Sequence, residues 1–130
     1  MKKTHFLFIL SFFLFSACAE NFKDINPAKF NTKIENRMDI KTPEALITVF
    51  YDYPANEGKP DISITAQKQD TSRYLITLIN DNLEDDSVAG EKIVMEASLQ
   101  NQIWKVTSIK KNWYCYKDRG HRNWGTSYCE

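Results

Sequence analysis

The sequence predicts an α+β domain in which one N-terminal amphipathic helix lies across a curved, four-stranded antiparallel sheet. Three observations predict it: helical spacing of apolar residues between Thr42 and Tyr53, two-residue alternation after Lys59, and a cysteine pair, Cys115 and Cys129, framing the end of the 130-residue chain.

The chain opens MKKTHFLFILSFFLFSAC. Lys2 and Lys3 give a positive start, Phe6 to Phe15 are apolar except for Ser11, and the small residues Ser16 and Ala17 precede Cys18. These are the three parts of an export signal. The apolar run is about half of the roughly 20 residues that a membrane-crossing helix needs, so a retained transmembrane anchor is the weaker reading. F-S-A-C resembles the lipobox of bacterial lipoproteins, with Phe15 where Leu is usual. The resemblance implies cleavage after residue 17 and a diacylglycerol on the Cys18 thiol. An ordinary secretory signal cut near Ala17 or Ala19 is the alternative. Two or three acyl chains hold a protein firmly to a membrane, where one holds it marginally. Ala19 after the lipid cysteine fits an outer membrane, so the expected address is the bacterial cell envelope.

Removal of residues 1–17 takes away Lys2 and Lys3 but no acid, which leaves a formal charge of −2. A near-neutral chain without a basic stripe argues against both nucleic acid and anionic lipid as partners. Residues 18–41 are polar with scattered apolar residues and read as a lipidated tether, in which a short helix over 28–37 could cover part of the domain. The domain proper is expected over 42–130.

Thr42-Pro43-Glu44 begins the main helix with a capping hydroxyl, a proline suited to the first turn, and a carboxylate at the positive helix end. Leu46, Val49, Phe50 and Tyr53 share one face, and Pro54 and Gly58 stop the helix. Strands follow over 62–66, 73–79, 93–99 and from Ile103 toward Cys115, with turns at QDTS (69–72) and QNQ (100–102). The two-residue period slips between Val106 and Ile109, which predicts a bulge. The order of elements resembles cystatin-like and nuclear-transport-factor-2-like folds, the former more closely. It carries no function with it.

In an oxidising compartment, with Cys18 taken by lipid, Cys115 and Cys129 form an even pair and are expected to close a fifteen-residue disulfide loop. On the chain-entropy estimate such a loop stabilises the fold by about 3 kcal/mol. Zinc held by Cys115, His121 and Cys129, with Asp118 or water as the fourth ligand, is the competing reading, but C-x-x-C and H-x-x-x-H are missing, and no metal or cofactor is expected. Asp118 to His121 reads as a tight turn around Gly120. Arg119 and His121 are expected to clamp backbone carbonyls; the functional alternative is a small anion or peptide-carboxylate site of Arg119, His121 and Arg122. Trp113 and Trp124 are expected to pack over the disulfide, with Trp124 a further candidate for binding.

DDSVAGE (85–91), W-K-V (104–106), W-Y-C (113–115) and R-G-H-R-N-W (119–124) ending in Cys129 resemble a pattern in small exported bacterial proteins described as uncharacterised lipoproteins. The resemblance implies an architecture and no activity. Asp81, Glu84, Asp85, Asp86 and Glu91 gather near one turn, but without EF-hand spacing; Asp85 or Asp86 is expected to bind local amides rather than calcium. A carboxylate pair for glycoside hydrolysis would need a cleft that sequence does not show. Nucleophile elbow, phosphate loop and zinc-protease helix are all missing. Two functions follow. The first is a non-enzymatic, membrane-anchored module that binds an envelope protein or peptide through an edge strand or the aromatic tail. The second is a small-molecule-binding protein or enzyme using the concave sheet face, with Arg119, His121 and Tyr74 or Tyr114.

Overall fold

The computed structural model describes residues 20–53 and 60–130. The export signal, Cys18, Pro54 and Gly58 lie outside the described residues. The elements are β1 (Lys23–Ile25), α1 (Ala28–Ile34), α2 (Pro43–Tyr51), β2 (Ile62–Lys68), β3 (Arg73–Asn80), β4 (Val88–Gln100) and β5 (Ile103–Cys115). The expected α+β class is found, but among the described residues the sheet has five strands rather than four and there are two helices rather than one. The strand order is β1-β5-β4-β3-β2, antiparallel throughout.

Both additions come from the segment read as a tether. A three-residue strand offers no alternation to read; β1 exists because Lys23, Asp24 and Ile25 find partners in Lys111, Lys110 and Ile109. The seven residues of α1 carry one apolar pair at helical spacing, Phe30 and Ile34, and both are buried. Such a helix is far too short to persist alone and depends on that burial. Ile40, between the helices, is buried too.

The expected start of the main helix is present. Thr42 is the N-cap, its hydroxyl accepts from the Ala45 N–H at 3.1 Å, and Pro43 opens the first turn. The helix ends at Asp52, whose left-handed backbone (φ 43°) lets its N–H donate to the Thr48 carbonyl. Leu46 and Ile47 are fully buried, and Phe50 meets Phe30 edge to face at 5.1 Å between centroids. Both helices therefore lie on one face of the sheet, over a single cluster that includes Ile76, Leu78, Ile93, Met95, Trp104, Val106 and Ile109. Burial of these side chains is the main favourable term for a domain of this size.

The bulge falls where the period slips. Glu96 faces Ser108 and Ala97 faces Val106, so Thr107 is the extra residue. One added residue turns both Val106 and Ile109 toward the core. A second shift leaves Ala89 without a partner between Val88 and Gly90. The β4–β5 connection is a two-residue turn in which Asn101 (φ 50°) and Gln102 (φ 65°) are both left-handed, as a tight hairpin with right-handed twist demands.

Candidate functional site

A sheet of five strands has two edges, and this chain treats them differently. The outer edge of β5 is closed by successive segments between Val106 and Cys115. The Asn31 side chain bonds both backbone groups of Val106: its Oδ1 accepts from the N–H and its Nδ2 donates to the carbonyl, each at 2.8 Å. Next, β1 pairs with residues 109–111. Trp113 then exchanges two hydrogen bonds with Gly125, at 3.0 and 2.9 Å. Finally the Cys115 N–H donates to the His121 carbonyl, and the Cys115 carbonyl accepts from Arg122 Nη1 at 3.0 Å.

The C-terminal loop is thus part of the sheet's closure. The disulfide joins Cys115 to Cys129, as expected, with both residues buried and their Cα atoms 5.5 Å apart. His121 holds the loop from inside: Nδ1 faces the Asn123 carbonyl at 2.7 Å and Nε2 the Ser127 carbonyl at 3.0 Å. A neutral imidazole donates to one of these at a time. Gly120 (φ 144°) brings its backbone against the disulfide; a Cβ there would stand 2.7 Å from Cys115 Sγ. Ligand atoms of Cys115, His121 and Cys129 do lie within 4.8 Å of one another, but the two sulfurs are bonded together. Among the predicted binding residues, His121 and Arg122 are committed to the loop's own carbonyls. Arg119 is exposed, with one long contact of 3.5 Å to the Glu130 carbonyl. Trp124 packs edge to face on Tyr114 at 4.9 Å and takes the Lys92 ammonium over its ring at 4.4 Å. Trp113 donates its ring N–H to the Ser127 carbonyl.

Among the described residues the other edge is open. Gln69 N–H donates to Arg73 and Asp81 N–H to Asp61, at the two ends of the β2–β3 pair. Bonded residues alternate along an antiparallel ladder, so Ser63, Thr65 and Gln67 face β3. The N–H and C=O groups of Ile62, Ile64 and Ala66 then point away from the sheet. Among the described residues nothing bonds to them. No proline interrupts Ile62–Lys68, and Lys68 is its one charge. Beside this edge runs a groove of about 230 Å³ lined by Thr48, Tyr51, Asp52, Tyr53, Ile62 and Ile64. Tyr51 and Tyr53 stack there with centroids 5.9 Å apart. That volume is below the range of small-molecule sites and suits one inserted side chain.

Two further depressions are present among the described residues. One, of about 470 Å³, opens at the end of the helix-covered face, lined by Lys23, Leu83, Asp85, Val88, Glu91, Lys111 and Trp113. Glu91 is nearly buried and ion-paired with Lys111. Behind it Asn80, fully buried, donates to the Tyr51 hydroxyl at 3.0 Å. Burial raises the Tyr51 pKa above its ordinary value; the Asn80 donation opposes this and the Glu91 carboxylate adds to it. The other, about 610 Å³, is a dish on the opposite face around Arg73, Leu75, Glu96 and Thr107. Tyr74 is on the helix-covered face but packs on Trp104 at 5.5 Å. Tyr114 pairs with Gly90, next to the Lys92–Asn112 pair, and lies on the opposite face with Trp124.

The acidic stretch disperses. Asp85 Oδ1 accepts from the Ser87 and Val88 N–H groups at 2.9 and 2.8 Å, which holds its carboxyl below the usual range. Asp81 accepts from the Tyr114 hydroxyl, and Glu91 takes Lys111. Sequence reasoning missed Asn31, Lys23 and Lys111: a lone asparagine or lysine carries no local signal of a partner some 75 positions away, the separation of Asn31 from Val106.

Comparison with protein-family models, with curated proteins and with solved structures found no match to this chain.

Proposed function

We propose that the protein is a lipid-anchored, non-enzymatic module of the bacterial cell envelope that binds an extended protein or peptide segment by strand addition to β2. The observation that carries this reading is the contrast between the edges. Exposed strand edges pair readily with other chains, and proteins usually blunt them. Here three separate chain segments close β5, whereas among the described residues β2 keeps the outward backbone groups of Ile62, Ile64 and Ala66 unbonded beside a groove between helix and strand. Backbone bonds would supply affinity, and the groove would select one apolar or aromatic side chain of the added strand. The curved, cystatin-like form of the sheet belongs to the same reading.

The test uses a photoreactive residue at Ser63 in the full chain at native abundance. The expected result is one partner, crosslinked through an extended segment. Ala66→Pro removes an outward N–H and leaves the β3 ladder intact, so it abolishes the adduct while the protein stays folded. Thr65→Pro breaks a ladder bond and destabilises the sheet, so it lowers the urea midpoint where Ala66→Pro does not. A Ser63 probe that yields no specific adduct, or one indifferent to Ala66→Pro, ends the reading.

The depression around Glu91 and Lys111 favours a second reading, a small-molecule site on the helix-covered face. Its polar groups would be Lys23, Glu91 and Lys111 in place of Arg119 and His121. Native mass spectrometry of protein taken from its host checks this: a retained small molecule that Lys111→Met loses would support it, and an empty wild-type protein would not.

A further inference from the structure

The chain is strapped to the domain almost as soon as it emerges from the anchor position. Glu20 Oε2 lies 2.7 Å from Lys92 Nζ, and Oε1 lies 3.0 Å from it. The Asn112 side chain, fully buried, donates to Glu20 Oε2 at 3.3 Å and to the Asn21 carbonyl at 3.2 Å. Lys92 is held between that carboxylate and the ring of Trp124, with its side chain only 12% exposed. The strap and the disulfide loop therefore meet on the face opposite the helices, at the end of the sheet where β5 finishes. One residue, Ala19, lies between Cys18 and Glu20, and an extended chain covers about 7 Å over those two steps.

We infer that the disulfide loop is a membrane-facing surface that lies in the headgroup layer of the bilayer to which Cys18 is anchored. This rests on the lipid-anchor reading and adds an orientation to it. A domain bonded two residues from its lipid cannot stand off on a tether; the loop beside Glu20 is the part brought to the surface. The loop's side chains suit that place. Tyr128 is 85% exposed and Tyr116 is 38% exposed, the two large apolar residues at this end left so open among the described residues. Tyrosine and tryptophan favour the membrane–water interface, where one end of the ring is wet and the other apolar. Arg119 and Lys117 on the same loop present donors at headgroup height. The near-neutral charge of the mature chain does not oppose this, because the covalent anchor supplies the attraction and the loop supplies only orientation.

The experiment places a photoreactive residue at Tyr128 or, separately, at Gln67 on β2, in the full chain within native membrane vesicles. Intact mass is read on the same samples. The expected result is acyl mass on Cys18 with phospholipid adducts from position 128, at least five-fold above those from position 67. Glu20→Ala, which removes the contacts to Lys92 and Asn112 and leaves the Asn21 carbonyl and β1 bonded, is expected to reduce the difference below five-fold. An acylated chain with equal yields, or with none at 128, overturns the orientation and leaves the anchor standing. So does an acylated Glu20→Ala chain that keeps the five-fold difference. A chain without acyl mass on Cys18 overturns both.

Discussion

Asp70 organises the β2–β3 turn. Its carboxylate accepts from the Ser72 and Arg73 N–H groups at 2.9 and 2.8 Å and meets the Arg73 guanidinium at 2.5 Å. The Ser72 N–H is the largest cause, followed by Arg73, and together they hold the carboxyl down at about 2. In the unfolded chain an aspartate titrates near about 3.9. Between these values the unfolded state binds more protons than the folded one, so stability rises with pH there. The contribution is complete above roughly pH 5 and drains away as pH falls toward about 2. Asp70→Asn keeps an acceptor for the two N–H groups but no longer titrates. It is expected to flatten the loss of stability between about pH 4 and pH 2, measured by urea unfolding across that range. An unchanged slope would mean that other carboxylates dominate the acid limb. At this scale the sequence was informative wherever a side chain acts on its near neighbours: Thr42 as a cap, Asp85 on local amides and Gly120 in its turn are all legible. His121 and Arg122 were legible as clamps, though not the strand edge they help to close.

Elements divide along the same line. α2, β3, β4 and β5 announce themselves because each carries enough periodic residues to bury a face without help. The bulge at Thr107 was readable as well, since a slipped period is itself a pattern. β1 was not, because three residues have no period to slip; α1 showed only as a short helix over 28–37 that could cover part of the domain, since one apolar pair is too little to require it. Their stability comes from β5 and from Phe50, across the length of the chain. The β4–β5 turn shows a local choice that tertiary structure overrides. Gln102 is held at φ 65°, which disfavours a side chain with a Cβ and is open to glycine. Gln102→Gly is expected to stabilise the protein by on the order of 0.5 kcal/mol, after the entropy that glycine loses is set against the strain relieved. The urea midpoint checks it; a fall in stability would show that Gln102 makes a contact worth more than the strain.

Among the described residues one buried cluster and one disulfide hold the molecule, and neither cysteine is part of that cluster. Replacing Cys115 and Cys129 together by alanine is expected to lower stability by about 3 kcal/mol, from the larger entropy of the unfolded chain. A loss below about 1 kcal/mol would show that the loop is ordered by His121, Arg122 and Gly125 without the bond. The closed edge of β5 carries a further consequence, in time rather than in space. Lys23 must find Lys111, Asn31 must find Val106, and Trp113 must find Gly125. The first two pairings span most of the chain, and contacts of such long separation form slowly because the loop-closure entropy comes before any gain. The third waits for residues close to the C-terminus. During biogenesis, then, the sheet passes through a stage with both edges bare. Any factor that shields the newly made chain has its work between the emergence of β5 and the arrival of Gly125 beside Trp113.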